Sequence, residues 1–205
     1  WGTAIYLTLY MTIIPFFIGG ILGFIAGLLL VLTGPRGILE NRLVFFVLDK
    51  VTSIFRAIPF IILLALINPF TRIIVGTGIG PTAALVPLSL AVFPFFARQV
   101  QVVLSELDRG VIEAAQASGA TFWDIVGVYL REGMPDLIRV TTVTLISLVG
   151  ETAMAGAIGA GGLGNVALTY GYQRFNHDVT ILATILILLL IFFIQFVGDF
   201  LTRKI

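Results

Sequence analysis

The chain has 205 residues, of which 59% are hydrophobic and 11% are charged. Soluble domains carry about 25% charged residues, so this composition predicts a protein that has the lipid bilayer as its solvent. The net charge of +1 argues against a nucleic-acid partner, which needs a basic surface. The chain has no cysteine, and its single histidine, His177, has no neighbouring ligands, so we expect no metal site and no catalytic residue. Because the chain begins at Trp1 rather than Met, we expect a few residues to precede it.

Five apolar stretches are long enough for a membrane-spanning helix, which needs about 20 residues. They cover residues 1–35, 51–68, 81–97, 135–158 and 179–198. In the first stretch, Gly19, Gly23 and Gly27 recur at intervals of four and predict a face for close helix contact. We expect Pro69 to end the second span and Pro81 to begin the third. The pattern predicts an all-α integral membrane protein, with one transmembrane domain over residues 1–205.

The second span contains two residues that are unusual inside a membrane. Arg56 would lie a turn or two inside, where a long side chain can extend back to the interface. Pro59 should kink or loosen the helix. Lysine and arginine favour the cytoplasmic side, and placing residues 105–139 there puts nine basic residues inside and two, Arg72 and Arg174, outside. The expected orientation is therefore N-terminus out and C-terminus in.

Residues 105–139 form the most polar part of the chain, with six of its eleven acids and three arginines. A polar segment between apolar spans must lie in water. Residues 111–118 favour a helix, Gly119 can turn the chain with a positive φ, and Thr121 can cap a second short helix that continues through Tyr129. This pattern predicts a protruding knob, over about residues 105–134, that docks a soluble partner. The alternative is an amphipathic loop that only links two spans.

One string within this segment resembles a known family. Glu113, Ala114 and Ala115, followed after three residues by Gly119, resemble the coupling signature of ABC-importer permeases. Residues 55–64, 69–77, 153–164 and 170–173 are similar to the methionine-importer branch, so the resemblance covers nearly the whole chain. One departure is that residues 129–132 read Tyr-Leu-Arg-Glu where the family pattern has Ile-x-Leu-Pro, and proline comes later, at position 135. The exit of the second short helix therefore does not follow from the pattern.

The resemblance implies the permease subunit of an ATP-driven importer, most simply one for methionine that works by alternating access. It implies a second copy of the chain, two ABC ATPase subunits that hold ATP and Mg²⁺, an external substrate-binding protein and surrounding lipid in the inner membrane. Glu113, Ala114, Ala115 and Gly119 would form the contact with the ATPase. The chain contains no GxxxxGK[ST] string, so we expect no cofactor on it and ATP hydrolysis on the partner.

Further candidate gate and translocation residues are Met154, Gly156 and Glu151 in the fourth span, together with Arg56 in the second. The resemblance places an axial gate and dimer contact at Met154 and the small residues after it, including Gly156; helix packing alone is the alternative. Glu151 lies twelve residues beyond Arg139, about 18 Å along a helix and so near mid-bilayer. A buried acid there is costly and therefore a functional candidate. It could contact the amino group of a zwitterionic substrate, pair with Arg56, or pack as a protonated side chain.

Three other functions are compatible with parts of this pattern. A permease of the same family for another amino acid would have the same spans and knob. A stand-alone secondary transporter or channel would need ionisable relays across the membrane, for which Glu151 is the one candidate. A scaffold that does not transport would leave the polar knob unexplained.

Overall fold

The computed structural model describes residues 1–204, which form eight α-helices and no strand. The helices are α1 (Gly2–Thr33), α2 (Arg42–Ala57), α3 (Phe60–Val75), α4 (Pro81–Ser105), α5 (Arg109–Ala117), α6 (Phe122–Ala155), α7 (Gly162–Asn165) and α8 (His177–Lys204). Two turns of π-helix, Gly156–Ala160 and Val166–Gly171, and a 3-10 turn, Tyr172–Arg174, lie between α6 and α8. The helices α1, α4, α6 and α8 are each long and apolar enough to cross a membrane, and α2 with α3 can supply a fifth span. The prediction of an all-α membrane protein is confirmed.

The helix α1 packs along α4 through its glycine face. Three glycines of α1 face three backbone carbonyls of α4: Gly19, Gly23 and Gly27 lie opposite Ser89, Phe93 and Ala97. A Cβ atom on Gly23 would lie 2.6 Å from the Phe93 oxygen, and one on Gly27 would lie 2.5 Å from the Ala97 oxygen. Because lipid tails are as apolar as leucine, close backbone approach of this kind is a main source of helix association in membranes. The predicted close contact is confirmed, and we call it the α1–α4 seam.

The second predicted span is a bent pair of helices, α2 and α3, whose axes differ by 108°. The break lies at Ile58 and Pro59, where Ile58 is extended because a proline disfavours helical geometry in the residue before it. The expected loosening at Pro59 is therefore confirmed. The prediction that Pro69 ends the span is wrong. Pro69 lies inside α3, which continues to Val75 and is followed by Gly76 with φ 82°. Proline is tolerated inside membrane helices, where neighbouring groups can replace the lost hydrogen bond.

This pair of helices, which we call the bent arm (residues 42–75), is loosely attached. Only Thr52 is buried in α2, and only Leu63 and Thr71 in α3. An apolar groove of about 830 Å³ lies between the arm and the helices α1 and α4. The arm therefore makes much less apolar contact with α4 than the seam does.

The largest difference from expectation concerns α6. The second short helix of the knob and the fourth span are one helix of 34 residues, with Pro135 in its interior. The residues before the proline, such as Leu130, Arg131 and Glu132, are good helix formers, and the helix continues through them into the apolar segment. At its far end α6 gives way to the π-helical turn, where Gly159 has φ 99°. Two other spans are longer than predicted, because α4 begins at Pro81 but continues to Ser105, and α8 covers His177–Lys204.

One hydrophobic core extends from the membrane spans into the knob. Its buried members include Met11 of α1, Leu88 and Val100 of α4, and Leu148 of α6. Ile112 of α5 belongs to the same cluster. The knob is therefore packed against the ends of the spanning helices and is continuous with their core.

Candidate functional site

The first half of the knob is the helix α5, which is capped at both ends. At its start, the Asp108 carboxylate accepts a hydrogen bond of 2.8 Å from the Gly110 amide. At its end, Gly119 has φ 78° and the Ala120 amide donates to the Ala115 carbonyl at 3.1 Å. A positive φ is readily adopted by glycine and costs an ordinary residue about 1 kcal/mol or more. The predicted helix and glycine turn are confirmed, with α5 beginning two residues earlier than expected.

The second half of the knob is the first part of α6, which begins in a capping box. The Asp124 carboxylate accepts hydrogen bonds from the Thr121 hydroxyl at 2.6 Å and from the Thr121 amide at 2.8 Å. The Thr121 hydroxyl in turn accepts from the Asp124 amide at 3.4 Å. Both bonds to its carboxylate lower the pKa of Asp124, and the bond from the Thr121 hydroxyl has a larger effect than the bond from the Thr121 amide. The cap at Thr121 is a confirmed prediction, whereas the role of Asp124 in the capping box was not predicted.

The knob has one face against the protein and one face toward solvent. Ile112, Ile125 and Tyr129 are buried, whereas Glu113, Ala114 and Gly119 are exposed and Ala115 is half-buried. The structure thus brings the four signature residues to one projecting element. Trp123, in the second helix of the knob, is 76% exposed beside Phe122, and an exposed tryptophan in a polar segment is a signal for a contact surface.

A polar cavity of about 160 Å³ lies between α5 and the link that joins α1 to α2. Arg36 and Ile38 line it from the link, and Arg109 and Glu113 line it from α5. The knob is therefore also close to the end of α1, and not only to the two helices to which it is covalently joined.

The proposed gate residues lie at the far end of α6. An exposed stripe follows one face of this helix and of the next turn, formed by Val143, Gly150, Met154 and Ile158. Met154 is 50% exposed. Gly156 is buried instead, and a Cβ atom there would lie 2.6 Å from the Asn165 amide nitrogen. In this chain Gly156 therefore allows close packing of the turn against α7, while Met154 faces outward.

Glu151 is half-buried one turn before Met154, with one carboxyl oxygen that is fully buried and has no hydrogen-bond partner among residues 1–204. Arg56 is exposed on the bent arm. Within the described residues the ion pairs are Asp49–Lys50, Asp49–Arg98 and Asp136–Arg139. A Glu151–Arg56 pair is not among them, and a role of either residue at the gate stays a prediction.

The glycine-rich segment after α6 is fastened to α1 by a buried hydrogen bond. The Leu163 amide donates to the Thr8 hydroxyl at 2.9 Å, and this hydroxyl donates to the Ala4 carbonyl at 3.0 Å. The close approach requires a small residue at Gly162, where a Cβ atom would lie 2.8 Å from the Thr8 oxygen. The segment containing α7 is thus held against the first span.

The comparisons with known proteins agree with this architecture. The family described as "Binding-protein-dependent transport system inner membrane component" matches residues 19–205. The chain is 48% identical to the probable D-methionine transport system permease protein MetI of Pasteurella multocida, over 96% of this chain and 91% of that protein. It is 50% identical to the methionine import system permease protein MetP of Bacillus subtilis, over 85% of this chain and 79% of that protein.

Solved structures give the same result for the fold. A chain of the MetNI methionine ABC transporter, solved in inward-facing conformations, aligns with a TM-score of 0.95 and 45% identity over 98% of this chain and 94% of that chain. A chain of an amino acid ABC transporter solved with histidines aligns with a TM-score of 0.80 at 18% identity, which concerns the fold alone. The chain belongs to the family of binding-protein-dependent transport system inner membrane components.

Proposed function

We propose that this chain is the permease subunit of an ATP-driven importer and that it takes up methionine by alternating access. The observation that carries the proposal is the knob, an exposed element with the Glu113–Gly119 signature at the junction of two membrane helices. Supporting it, a relative with 48% identity is a probable D-methionine transport permease. A permease for another amino acid is the first competing function.

The proposed working unit is a homodimer bound to two ABC ATPase subunits, which hold ATP and Mg²⁺, and served by an external substrate-binding protein. Each chain is one transmembrane domain over residues 1–205 in the inner membrane, with its N-terminus outside and its C-terminus inside. The coupling segment covers about residues 105–134 and faces the cytoplasm.

In this proposal, each knob docks on an ATPase through Glu113, Ala114, Ala115 and the turn at Gly119. When ATP draws the two ATPase subunits together, the knobs move with them because their exposed faces are the contact. The helices α4 and α6 follow, since α5 lies between them in the chain and is packed on their ends. ATP favours one arrangement only through contacts that differ between the two states, and the docking surface supplies those contacts.

The translocation path is proposed to follow the exposed stripe of α6, with Met154 as the gate. A thioether is flexible and polarisable, so it can close a narrow opening beside small residues and still move aside. Glu151 lies one turn away and is the acid available to a substrate amino group. Gly156 contributes by allowing the tight turn that follows the gate.

The proposal is tested by uptake of labelled methionine in vesicles that contain the whole complex and its binding protein. We expect ATP-dependent uptake that unlabelled methionine suppresses and other amino acids do not. Suppression by another amino acid instead would identify that competing substrate. Uptake without an ATPase subunit would indicate a stand-alone transporter and contradict the proposal.

The coupling role is tested by Glu113→Lys, which reverses the charge of an exposed knob residue without changing the buried face. We expect uptake to fall at least about tenfold while the chain still inserts, because a loss of about 1.4 kcal/mol in a contact is a factor of ten. Asp199→Lys reverses an exposed charge on α8, outside the coupling segment, and serves as the control. Wild-type uptake in Glu113→Lys would count against the docking surface.

A further inference from the structure

A polar cluster joins the bent arm to α4 near the knob. Arg98 of α4 places Nη2 at 2.7 Å from Asp49 Oδ1 and at 2.9 Å from Ser53 Oγ, both on α2. The same nitrogen lies 3.4 Å from Thr52 Oγ1, and Nη1 donates to Gln101 Oε1 at 2.7 Å. The side chains of the Arg98–Asp49 ion pair are only 20% and 22% exposed. A planar guanidinium that binds several oxygens at once fixes direction as well as distance.

This cluster fastens α2 to α4. The one buried residue of α2 is Thr52, whose hydroxyl contacts Arg98. Thr52 and Ser53 lie three and four residues after Asp49, so all three residues lie on one face of the helix. The remaining surface carries exposed apolar side chains such as Phe46 and Ile54. The helix thus turns its polar face toward the protein, as polar residues of membrane helices do.

Apolar packing does little to hold the arm in this region. The groove of about 830 Å³ between the arm and the α1–α4 seam receives only Leu48 from α2. At the far end of the arm, the Asn68 amide donates to the Gly78 carbonyl at 2.8 Å, in the loop that leads into α4. Polar contacts therefore join α2 to α4 and α3 to the loop before α4, and α3 also packs Phe60 and Leu64 against the core.

The position of Arg98 connects this cluster to the knob. Arg98 lies seven residues before Ser105, where α4 ends, and α5 begins four residues after that. A displacement of the knob reaches this part of α4 first. The bent arm is not covalently adjacent to the knob and has no comparable contact surface with α5 or α6.

We propose that Arg98 and Asp49 are positioning residues that make the bent arm move with α4 when the knob moves. This inference rests on the proposed function, because it assigns a route by which movement driven by ATP reaches α2 and α3. Each side chain of the pair is mostly buried, so salt screens the pair less than an exposed one and it resists separation. Its directional hydrogen bonds also resist sliding of α2 along α4, whereas apolar contacts across a groove do not. Domain movements of this kind require elements that move as one body.

The test measures the number of ATP molecules hydrolysed per methionine imported, and compares this ratio between reconstituted complexes of wild type and variants. Asp49→Asn keeps the shape of the side chain and removes its charge, and Arg98→Lys keeps the charge and loses the fork of donors. We expect each to raise this ratio at least fivefold, because the ATPase still moves the knob while the arm lags behind. The exchanged pair, Asp49→Arg with Arg98→Asp, should return the ratio to within about threefold of wild type, since one ion pair is restored.

Asp136→Asn is the matched control, because it breaks an exposed ion pair within α6 at Arg139 and should leave the ratio unchanged. Should the charge variants fail to assemble, Ser53→Ala removes one neutral hydrogen bond of the cluster and should raise the ratio about twofold. A wild-type ratio in the single variants, or in Ser53→Ala, would overturn the inference. So would an exchanged pair that assembles but remains as uncoupled as the single variants. A wild-type complex that imports no methionine would instead contradict the proposed function, and this inference with it.

Discussion

The α1–α4 seam and the knob are held in place by different kinds of contact. In the seam, glycines bring one backbone against the carbonyls of another, and a single added carbon would collide with an atom that cannot rotate away. The knob is held by end caps and by one buried face, and its other face is free. The comparison indicates that shape governs the seam, whereas local hydrogen bonds and backbone geometry govern the knob. Substitutions should therefore damage folding at the first and transport at the second.

The strongest test of the seam is Gly27→Ala. The new Cβ would lie 2.5 Å from the Ala97 oxygen and 2.7 Å from Val100 Cβ, so the two helices must separate. We expect a loss of about 3 kcal/mol or more, at the upper end for overpacked cores, and a large fall in the yield of folded protein. The measurement is thermal unfolding of the purified chain in detergent.

Gly127→Ala is the matched control for this substitution. Gly127 is also helical, but nothing lies within 4 Å of a Cβ placed there. Alanine should stabilise that helix by about 0.5–1 kcal/mol, because it restricts the unfolded chain and glycine does not. If both alanine variants unfolded at the same temperature, close backbone contact would not be what holds the seam.

Thr8→Val sharpens the comparison by removing a polar contact from the same helix that forms the seam. Valine has nearly the same shape as threonine but leaves the buried Leu163 amide without its acceptor. We expect a loss of about 1–3 kcal/mol, the cost of an unpaired buried donor, in the same unfolding measurement. Thr184→Val is the control, since the exposed Thr184 hydroxyl bonds only to its own helix, at Thr180. Equal effects in the two variants would mean that the hydroxyl of Thr8 does not fasten α7.

Gly119→Val tests the knob, where φ is 78° and a β-branched residue is strained. The folded state should lose only about 1–2 kcal/mol, but the turn that presents Glu113 would be displaced. We expect methionine uptake to fall severalfold while the chain inserts and remains folded. Gly119→Asn should keep most of the uptake, because asparagine tolerates a positive φ. Normal uptake by the valine variant would remove the turn from the coupling mechanism.

The smallest expected effect concerns the capping box, through Asp124→Asn. Hydrogen bonds from Thr121 lower the pKa of Asp124 in the folded chain, so the carboxylate stabilises the fold above its unfolded pKa of about 4. That contribution is lost as the pH falls through the lowered folded pKa. Wild type should therefore unfold at a higher temperature than the variant at pH about 7, with the difference shrinking below about pH 4. Thr121→Ser keeps the cap and should behave as wild type; a difference that is constant with pH would contradict this assignment.

The parts of the fold that were predictable from sequence are those that depend on one helix at a time. Glycine spacing at Gly19, Gly23 and Gly27 identified the seam face, and Gly119 and Thr121 marked the turn and cap of the knob. Pro69 and Pro135 were misleading because the local penalty of proline was outweighed by the helix formers and apolar segments on either side. A proline signal is a preference of the residue, and long continuous helices can absorb it.

Contacts between distant residues were not predictable. Arg98 and Asp49 are separated by 49 positions, and each could be understood from sequence only as a polar residue near the end of a span. The recurrence of Asp49, Thr52 and Ser53 on one face of α2 was visible, but which helix that face meets depends on tertiary packing. For the same reason the sequence left the partner of Glu151 open, and no ion pair joins it to Arg56 within residues 1–204.

The fusion of the knob to the fourth span has a geometrical consequence. A helix of 34 residues, Phe122–Ala155, is about 50 Å long. A tilt of only about 5° about the end at Phe122 would carry the end at Ala155 sideways by about 4 Å, at this length. Side chains near Met154 would then shift by about the width of a small solute, although the end in the knob had scarcely moved. In the proposed orientation, the length of this helix would therefore convert a small movement of the knob at one membrane surface into a larger one near the gate at the other.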